Sequence, residues 1–269
     1  MNDGIVDPHL SGVPETMLIT LYYRASEAKR PDGILHDPES IRIYESIDFD
    51  FENIFGPPRG SMASRAVCFD RLLKEWLREH PEGLIVSLGE GLETQSLRVD
   101  NGKMHWLSVD LPEAIQVREQ FFKPNERFSQ CASSAFAMLW MDQVKGPDIF
   151  IIAQGLFMYF EESKVRQLID EIFKRFPNAH LAFDFVSKSF VKQTQKGLSL
   201  TGYYTLPAMK WGISHKKLYQ FNNVDPVRLE HYDIFPRGFS HIIVDRILKK
   251  IPFIGNQFPG IAYVKRSPQ

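Results

Sequence analysis

Between residues 84 and 186 five short apolar runs alternate with stretches of helical spacing, and this rhythm restricts the possible folds more than any other feature of the chain. The runs at 84–88, 105–109, 127–131, 148–153 and 180–186 have strand length and are rich in Leu, Ile, Val and Phe. Of the helices between them, 161–176 is the clearest. Val165, Leu168, Ile169, Ile172, Phe173 and Phe176 share one stripe, Glu161 and Glu162 open the first turn, Lys174 and Arg175 close the last, and Pro177 stops it. Alternating β and α elements imply a mostly parallel sheet covered by helices on both faces. Such sheets bind their ligands at the carboxyl ends of the strands.

The flanks depart from this rhythm. Residues 16–30 and 61–79 read as helices ahead of the first strand, the second carrying Phe69, Leu72, Leu73, Trp76 and Leu77 on one face and ending before Pro81. Residues 1–60 are expected to form an N-terminal helical cap. Beyond 186, the aromatic- and lysine-rich stretch 187–225 reads as a lid-like insertion, since long ordered loops are often functional. A strand at 227–231, a helix near 239–250 and a strand at 261–265 then suggest a terminal antiparallel pair. One domain over 1–269 is expected.

Charge narrows the partners. Lys+Arg at 32 nearly balances Asp+Glu at 33, so no global field draws the chain to nucleic acid or an anionic membrane, and a small molecule is favoured. No apolar run approaches the roughly 20 residues of a bilayer span, and the N-terminus lacks a secretory pattern. Cys68 and Cys131 offer neither a disulfide framework nor a metal pair, which fits a reduced cytoplasmic setting.

The stretch LGEGLETQ at 88–95 places Gly89 and Gly91 just past the first strand. A dinucleotide turn needs G-x-G-x-x-G, and Thr94 holds the third position. About 20 residues further on, Asp110 ends the second strand, where a carboxylate takes both hydroxyls of a ribose; that suits an adenosyl ligand with no phosphate to hold. Each residue also has a structural reading. The glycines can serve backbone conformation alone, and Asp110 can cap the helix opening at Pro112. Arg65, four residues before Phe69, lies on the apolar face of its helix and needs an anion: a ligand carboxylate, or else Glu90 or Glu93.

ETMLITLYYRASEAKRPDGILHDP at 15–38, RAVCFD at 65–70, VSLGEGLETQSLRVD at 86–100, WLSVDLPEAIQVRE at 106–119 and IIAQGLFMYFEESKVRQLI at 151–169 together resemble the leucine carboxyl methyltransferase family. The resemblance is closest to its bacterial branch, which includes polyketide O-methyltransferases; it spans most of 14–186, and YYTLPAMKWGI at 203–213 is similar to that branch's later segment. It implies a class I methyltransferase fold: a Rossmann-like, seven-stranded, mostly parallel sheet with helices on both faces, extra N-terminal helices and a lid insertion. It implies S-adenosylmethionine as methyl donor and S-adenosylhomocysteine as product. By this resemblance Gly89 and Gly91 meet the donor's methionine end, Arg65 holds its carboxylate, Asp110 with Leu111 holds the ribose, Ser133 or Ser134 in CASSAF reaches the adenine, and Gln154 hydrogen-bonds the donor. Two departures stand out: GLETQ where relatives commonly read GLDTR, and no Asp in CASSAF. They motivate an alternative, a catalytically silent donor-binding or regulatory protein.

The acceptor is left as a carboxylate or hydroxyl of a small metabolite. A carboxylate, which ordinarily titrates at about 4, needs no general base, whereas a phenol, titrating near 10, would profit from one. His215, His231 and Tyr204 are the candidate bases, each also readable as structural. For positioning the acceptor, Arg24 comes first by resemblance, with Tyr204 beside it, and Lys210 second; both cations can equally be solvated surface charge. Tyr22, Tyr159, Tyr203 and Trp211 either shape the pocket or pack around it.

Overall fold

The structure is a computed structural model that describes residues 12–218, 221 and 224–266. The start of the expected cap and four positions of the insertion, 219, 220, 222 and 223, lie outside the described residues. The strands are β1 (Leu84–Leu88), β2 (His105–Asp110), β3 (Phe128–Ala132), β4 (Ile149–Ala153), β5 (His180–Phe185), β6 (Val224–Glu230) and β7 (Gly260–Arg266). They join in one seven-stranded sheet of order β3-β2-β1-β4-β5-β7-β6. β1 to β5 run parallel, and β7 is antiparallel to both β5 and β6. The chain starts in the middle, builds outward through β2 and β3, then returns to place β4 on the other side of β1. That reversal opens a crevice at the carboxyl ends of β1 and β4.

Strand alternation feeds two cores, because successive side chains point to opposite faces. On one face Val86, Leu88, Ile151, Leu181 and Phe183 pack with the stripe Val165, Leu168, Ile169 and Ile172. On the other, Ile85, Trp106, Phe150 and Ile152 meet Phe69, Leu72, Leu73 and Trp76. Each fully buried side chain of this size contributes about 1.5–3 kcal/mol, which is why the central strands β1 and β4 are found where their apolar runs lie.

Four helices precede the sheet: α1 (Thr16–Ala28), α2 (Pro38–Ser46), α3 (Phe51–Phe55) and α4 (Ser61–Glu79). The second and third were not read from the sequence. Asp37 caps α2 by accepting from the Ser40 N–H at 3.0 Å, with Pro38 in the first turn, and Asp50 caps α3. Tyr22, Tyr44, Phe51 and Phe55 gather these helices into a separate aromatic core. Within and after the sheet come α5 (Gln95–Arg98), α6 (Pro112–Arg118), α7 (Glu162–Arg175) and α8 (Lys188–Gln195). The insertion continues from α8 through a Ser199–Thr205 bridge to an extended stretch whose Ile213 N–H bonds the Val186 carbonyl at 2.8 Å.

The helix expected near 239–250 is broken into a short α turn, a π-helical stretch over His241–Ile247 and a 3₁₀ turn. Asp245, in the middle, accepts from the Ile234 and Phe235 N–H groups at 3.0 and 2.9 Å, and this tether competes with a regular helix. Among the described residues no helix is long and apolar enough to cross a membrane.

Candidate active site

A cavity of about 670 Å³ opens at the carboxyl ends of β1, β2, β4 and β5. Its floor is the turn after β1 together with Asp110, Leu111, Gln154 and Asp184; its roof is drawn from α1 and from the insertion, through Met17, Tyr23, Phe190, Leu206 and Met209.

The turn is built by its glycines. Gly89 and Gly91 have φ of +64° and +54°, a region that side chains disfavour. A Cβ at Gly89 would lie 2.8 Å from Leu156 Cδ1, and one at Gly91 2.8 Å from Met17 Cβ. Both glycines therefore admit close packing by the protein itself, in addition to baring backbone toward the cavity. Asp110 fastens the turn from below: its Oδ2 accepts from the Gly91 N–H at 2.7 Å and its Oδ1 from the Leu111 N–H at 2.8 Å. It does not cap α6, whose N-cap residue is Leu111. Burial pushes the Asp110 carboxyl upward against these two bonds.

Beneath the turn lies a buried charge cluster that the sequence did not reveal. Glu93 receives Arg24 at 3.1 Å, Arg98 at 2.8 Å and Gln154 Nε2 at 3.1 Å. Arg98 also binds Asp37 at 2.9 Å and grips Asp70 through Nε and Nη2 at 2.7 and 3.0 Å. Burial alone would raise the Glu93 carboxyl, but Arg24 and Arg98 outweigh it and hold it at about 2. Arg24 is 1% exposed and also donates to the Leu92 carbonyl at 2.8 Å, so although it lines the cavity its charge is committed to the turn. The reading of Arg24 as solvated surface charge is thereby corrected.

Arg65 lines the cavity, as its helical position suggested, and its protein partner is Asp184 at 2.8 Å, not Glu90 or Glu93. Glu90 is taken by Arg118 at 3.0 Å and by the Trp106 indole at 3.1 Å. Gln154, Leu111 and Ser134 reach the wall; Ser133 does not, its N–H being bonded to the Asp110 carbonyl at 2.8 Å. Tyr204 also stays outside the wall, packed edge-on against Phe55 in the aromatic core. Tyr22 lies in the same core, Tyr203 is 84% exposed, Trp211 is buried under β5, and His215 packs on His231 away from the cavity. Lys210 is exposed and outside the wall, with its backbone N–H bonded to the Met158 carbonyl at 2.7 Å.

No family model matches the chain. It is 28% identical over 218 residues to the tetracenomycin polyketide synthesis O-methyltransferase TcmP of Streptomyces glaucescens, covering 77% of this chain and 78% of that one. It is 24% identical over 199 residues to the S-adenosyl-L-methionine-dependent methyltransferase dpfgK of Gibberella zeae, covering 65% and 66%. Among solved structures it superposes on an S-adenosylmethionine-dependent methyltransferase from Listeria monocytogenes with a TM-score of 0.52 at 8% identity, over 77% of this chain and 100% of that one. It superposes on the methyltransferase domain of bacterial CtHen1 with a TM-score of 0.51 at 11% identity, over 76% and 99%. The fold is that of a class I methyltransferase.

The walls of this methyltransferase fit the amino-acid end of a methyl donor. Arg65 Nε, Gln95 Oε1 and Gln154 Oε1 belong to residues that line the cavity, and all three are buried without a hydrogen-bond partner. Buried orphans of this kind are costly until something satisfies them. A guanidinium edge with free amide oxygens matches a zwitterion. At the mouth, Arg59 is exposed and, among the described residues, has no ion-pair or hydrogen-bond partner; its field reaches the Tyr23 hydroxyl.

Sequence reasoning passed over Asp184, Arg98, Asp70 and Arg59. Asp184 had a signal, an acid near the end of a β strand and as informative as Asp110. Arg98 had a weaker one, a cation one helical turn beyond Gln95.

Proposed function

We propose that this S-adenosylmethionine-dependent O-methyltransferase acts on a carboxylate carried by an apolar small molecule. The observation that carries this reading is the lack of a base. Among the described residues no histidine lines the cavity. Each of its carboxylates is already engaged: Glu90 by Arg118, Glu93 by Arg24 and Arg98, Asp184 by Arg65, and Asp110 by two backbone N–H groups. Burial pushes the Tyr159 hydroxyl up to about 12, outweighing Arg65 and Thr16 nearby. An acceptor that ionises by itself needs none of these groups.

When bound, the donor supplies an activated methyl group for in-line displacement by the acceptor oxygen. The chain's task is placement and dehydration. Arg65 holds the donor's carboxylate, Gly89 and Gly91 let its methionine end lie against the turn, Asp110 beside Leu111 takes the ribose hydroxyls, and Ser134 flanks the adenine. Arg59 draws the acceptor carboxylate in from the mouth, while Leu198, Leu206, Met209 and Phe258 line the side on which an apolar body would lie. Met17, Tyr23 and the insertion keep water out. In this reading residues 1–269 work as a single domain within the leucine carboxyl methyltransferase family, on its bacterial branch, supported by the quoted segments and the likeness to TcmP.

The silent donor-binding alternative rested on GLETQ in place of GLDTR and on the missing Asp in CASSAF. Arg98, one turn beyond Gln95, brings a guanidinium to Glu93 and Asp70, which removes the first of these motives.

The test pairs carboxylic acids with their hydroxyl analogues in the presence of methyl-labelled S-adenosylmethionine. Base-labile methyl esters are expected on the acids, at a rate flat from neutral to mildly alkaline pH. Preferential labelling of the hydroxyl analogues, rising with pH, would sink the carboxylate reading.

A further inference from the structure

The near balance of charge over the whole chain conceals a one-sided distribution. The forty residues 185–224 hold six lysines and not one aspartate or glutamate. Lys188, Lys192, Lys196, Lys210, Lys216 and Lys217 are all exposed, and among the described residues none of them enters an ion pair. The first three recur at every fourth position along α8 and its end. A second segment is apolar where water should meet it. Phe239, Ile242, Ile247, Ile251 and Ile254 are 75%, 53%, 52%, 39% and 41% exposed. Arg246 and Lys250 stand exposed among them, while Asp245, the one carboxylate of 239–254, is turned inward onto the Ile234 and Phe235 N–H groups. Large apolar side chains gathered on a surface mark a place of contact.

The two segments meet beside the cavity. Ser189 Oγ donates to Gln257 Oε1 at 3.0 Å, and the ring of His215 lies 3.9 Å from that of His231. Phe190 and Met209 from the one, with Ile234 and Phe258 from the other, line the same wall.

We propose that these segments form a docking surface for an anionic lipid bilayer. Phe239 and the isoleucines enter the boundary between headgroups and acyl chains, and the lysines lay their stems along apolar surface while their ammonium groups reach the phosphates. Each cation held near such a membrane adds about fivefold to affinity. Other occupants fit less well. A second copy related by a two-fold axis sets the lysines against one another, and protein–protein interfaces are poor in lysine. The docking stands on charge and exposure alone; only the entry of an apolar acceptor from the lipid rests on the acceptor reading above.

Cosedimentation of the full chain with two kinds of vesicle tests this: phosphatidylcholine alone, and phosphatidylcholine mixed with phosphatidylserine. Binding is expected to be at least about tenfold tighter to the mixed vesicles and to weaken as salt is raised. The triple variant Lys188→Gln/Lys192→Gln/Lys196→Gln should lose at least about tenfold on the mixed vesicles, and Phe239→Ser/Ile242→Ser should lose a similar amount. Both variants change exposed side chains only, so their thermal melts should match the wild type. Failure of the wild type to bind mixed vesicles, or equal binding to both kinds, overturns the proposal. So does binding that survives both sets of substitutions. Binding to polyglutamate without binding to vesicles would assign the face to an acidic protein, and a dimer abolished by Phe239→Ser/Ile242→Ser in the absence of vesicle binding would assign it to a second copy; each overturns the membrane assignment.

Discussion

Arg65 Nη1 donates to Asp184 Oδ2 at 2.8 Å across 119 residues of sequence, joining α4 to the end of β5. Asp184 also accepts from the Gly155 N–H at 2.6 Å, so one buried carboxylate ties a helix and two strand ends together beside the cavity. The pair fixes the Arg65 guanidinium beside the cavity. It also makes the two residues hard to separate.

Arg65→Ala leaves Asp184, 0% exposed, without its counter-charge. The expected loss is about 3 kcal/mol in urea unfolding. The double variant Arg65→Ala/Asp184→Ala should regain at least half of it, because no unpaired charge remains. Affinity for S-adenosylhomocysteine should stay low in both. Recovery of affinity in the double variant would count against the role given to Arg65.

Gly155 has φ +74°, and a Cβ there would stand 3.1 Å from Arg65 Nη1. Gly102 has φ +80° with nothing within 4 Å of its Cβ position. Alanine at either is expected to cost about 1 kcal/mol through backbone strain. Only Gly155→Ala should also weaken S-adenosylhomocysteine binding, by displacing Arg65; thermal melts and calorimetry on the two variants separate these effects.

Acid should destabilise the fold before the carboxylates titrate. Burial holds His180 and His215 down at about 4, against 6.5 for the free side chain. Between those values the unfolded chain binds more protons, so stability falls as pH drops from about 6.5 to about 4. Glu93, held at about 2, adds to the loss only below about 4.5. Urea midpoints measured between about pH 7.5 and 4.5 should decline, and His215→Phe should flatten the decline. A flat profile in the wild type would contradict the depressed histidines.

Arg59→Ala should raise KM for a carboxylate acceptor about tenfold, with kcat and S-adenosylhomocysteine affinity little changed. Arg59→Lys should restore part of the loss. An unchanged KM for Arg59→Ala would move the anion contact elsewhere in the mouth.

The sheet could be read from the sequence because most of the parallel strands are short, mainly apolar runs, β1 (LIVSL) and β4 (IFIIA) most plainly, set between stretches of helical spacing. β1 to β5 needed only local pattern, and Asp110 and Arg65 reached the cavity from simple spacing. The short helices α2 and α3 escaped because neither has room for a repeated stripe, although the Asp37-Pro38-Glu39 start was a legible cap. The charge cluster was out of reach for a different reason. Arg24, Asp37 and Asp70 meet Glu93 and Arg98 only through tertiary packing, and one sequence gives no means of pairing charges so far apart along the chain. Arg24 and Tyr204 show the same limit, since spacing could not tell a cation committed to the turn, or a tyrosine enclosed in an aromatic core, from groups free to meet an acceptor.

The cluster under the donor turn also bears on how such an enzyme could be altered. Its arginine comes from α1, which roofs the cavity, and its aspartates from the cap of α2 and from α4, yet they set the charge of the turn. Exchanging those segments with a relative's to recruit a new acceptor would change the electrostatics of donor capture at the same time. Mutations confined to the insertion, whose described residues take no part in the cluster, leave that coupling intact and offer the cleaner route to a different acceptor.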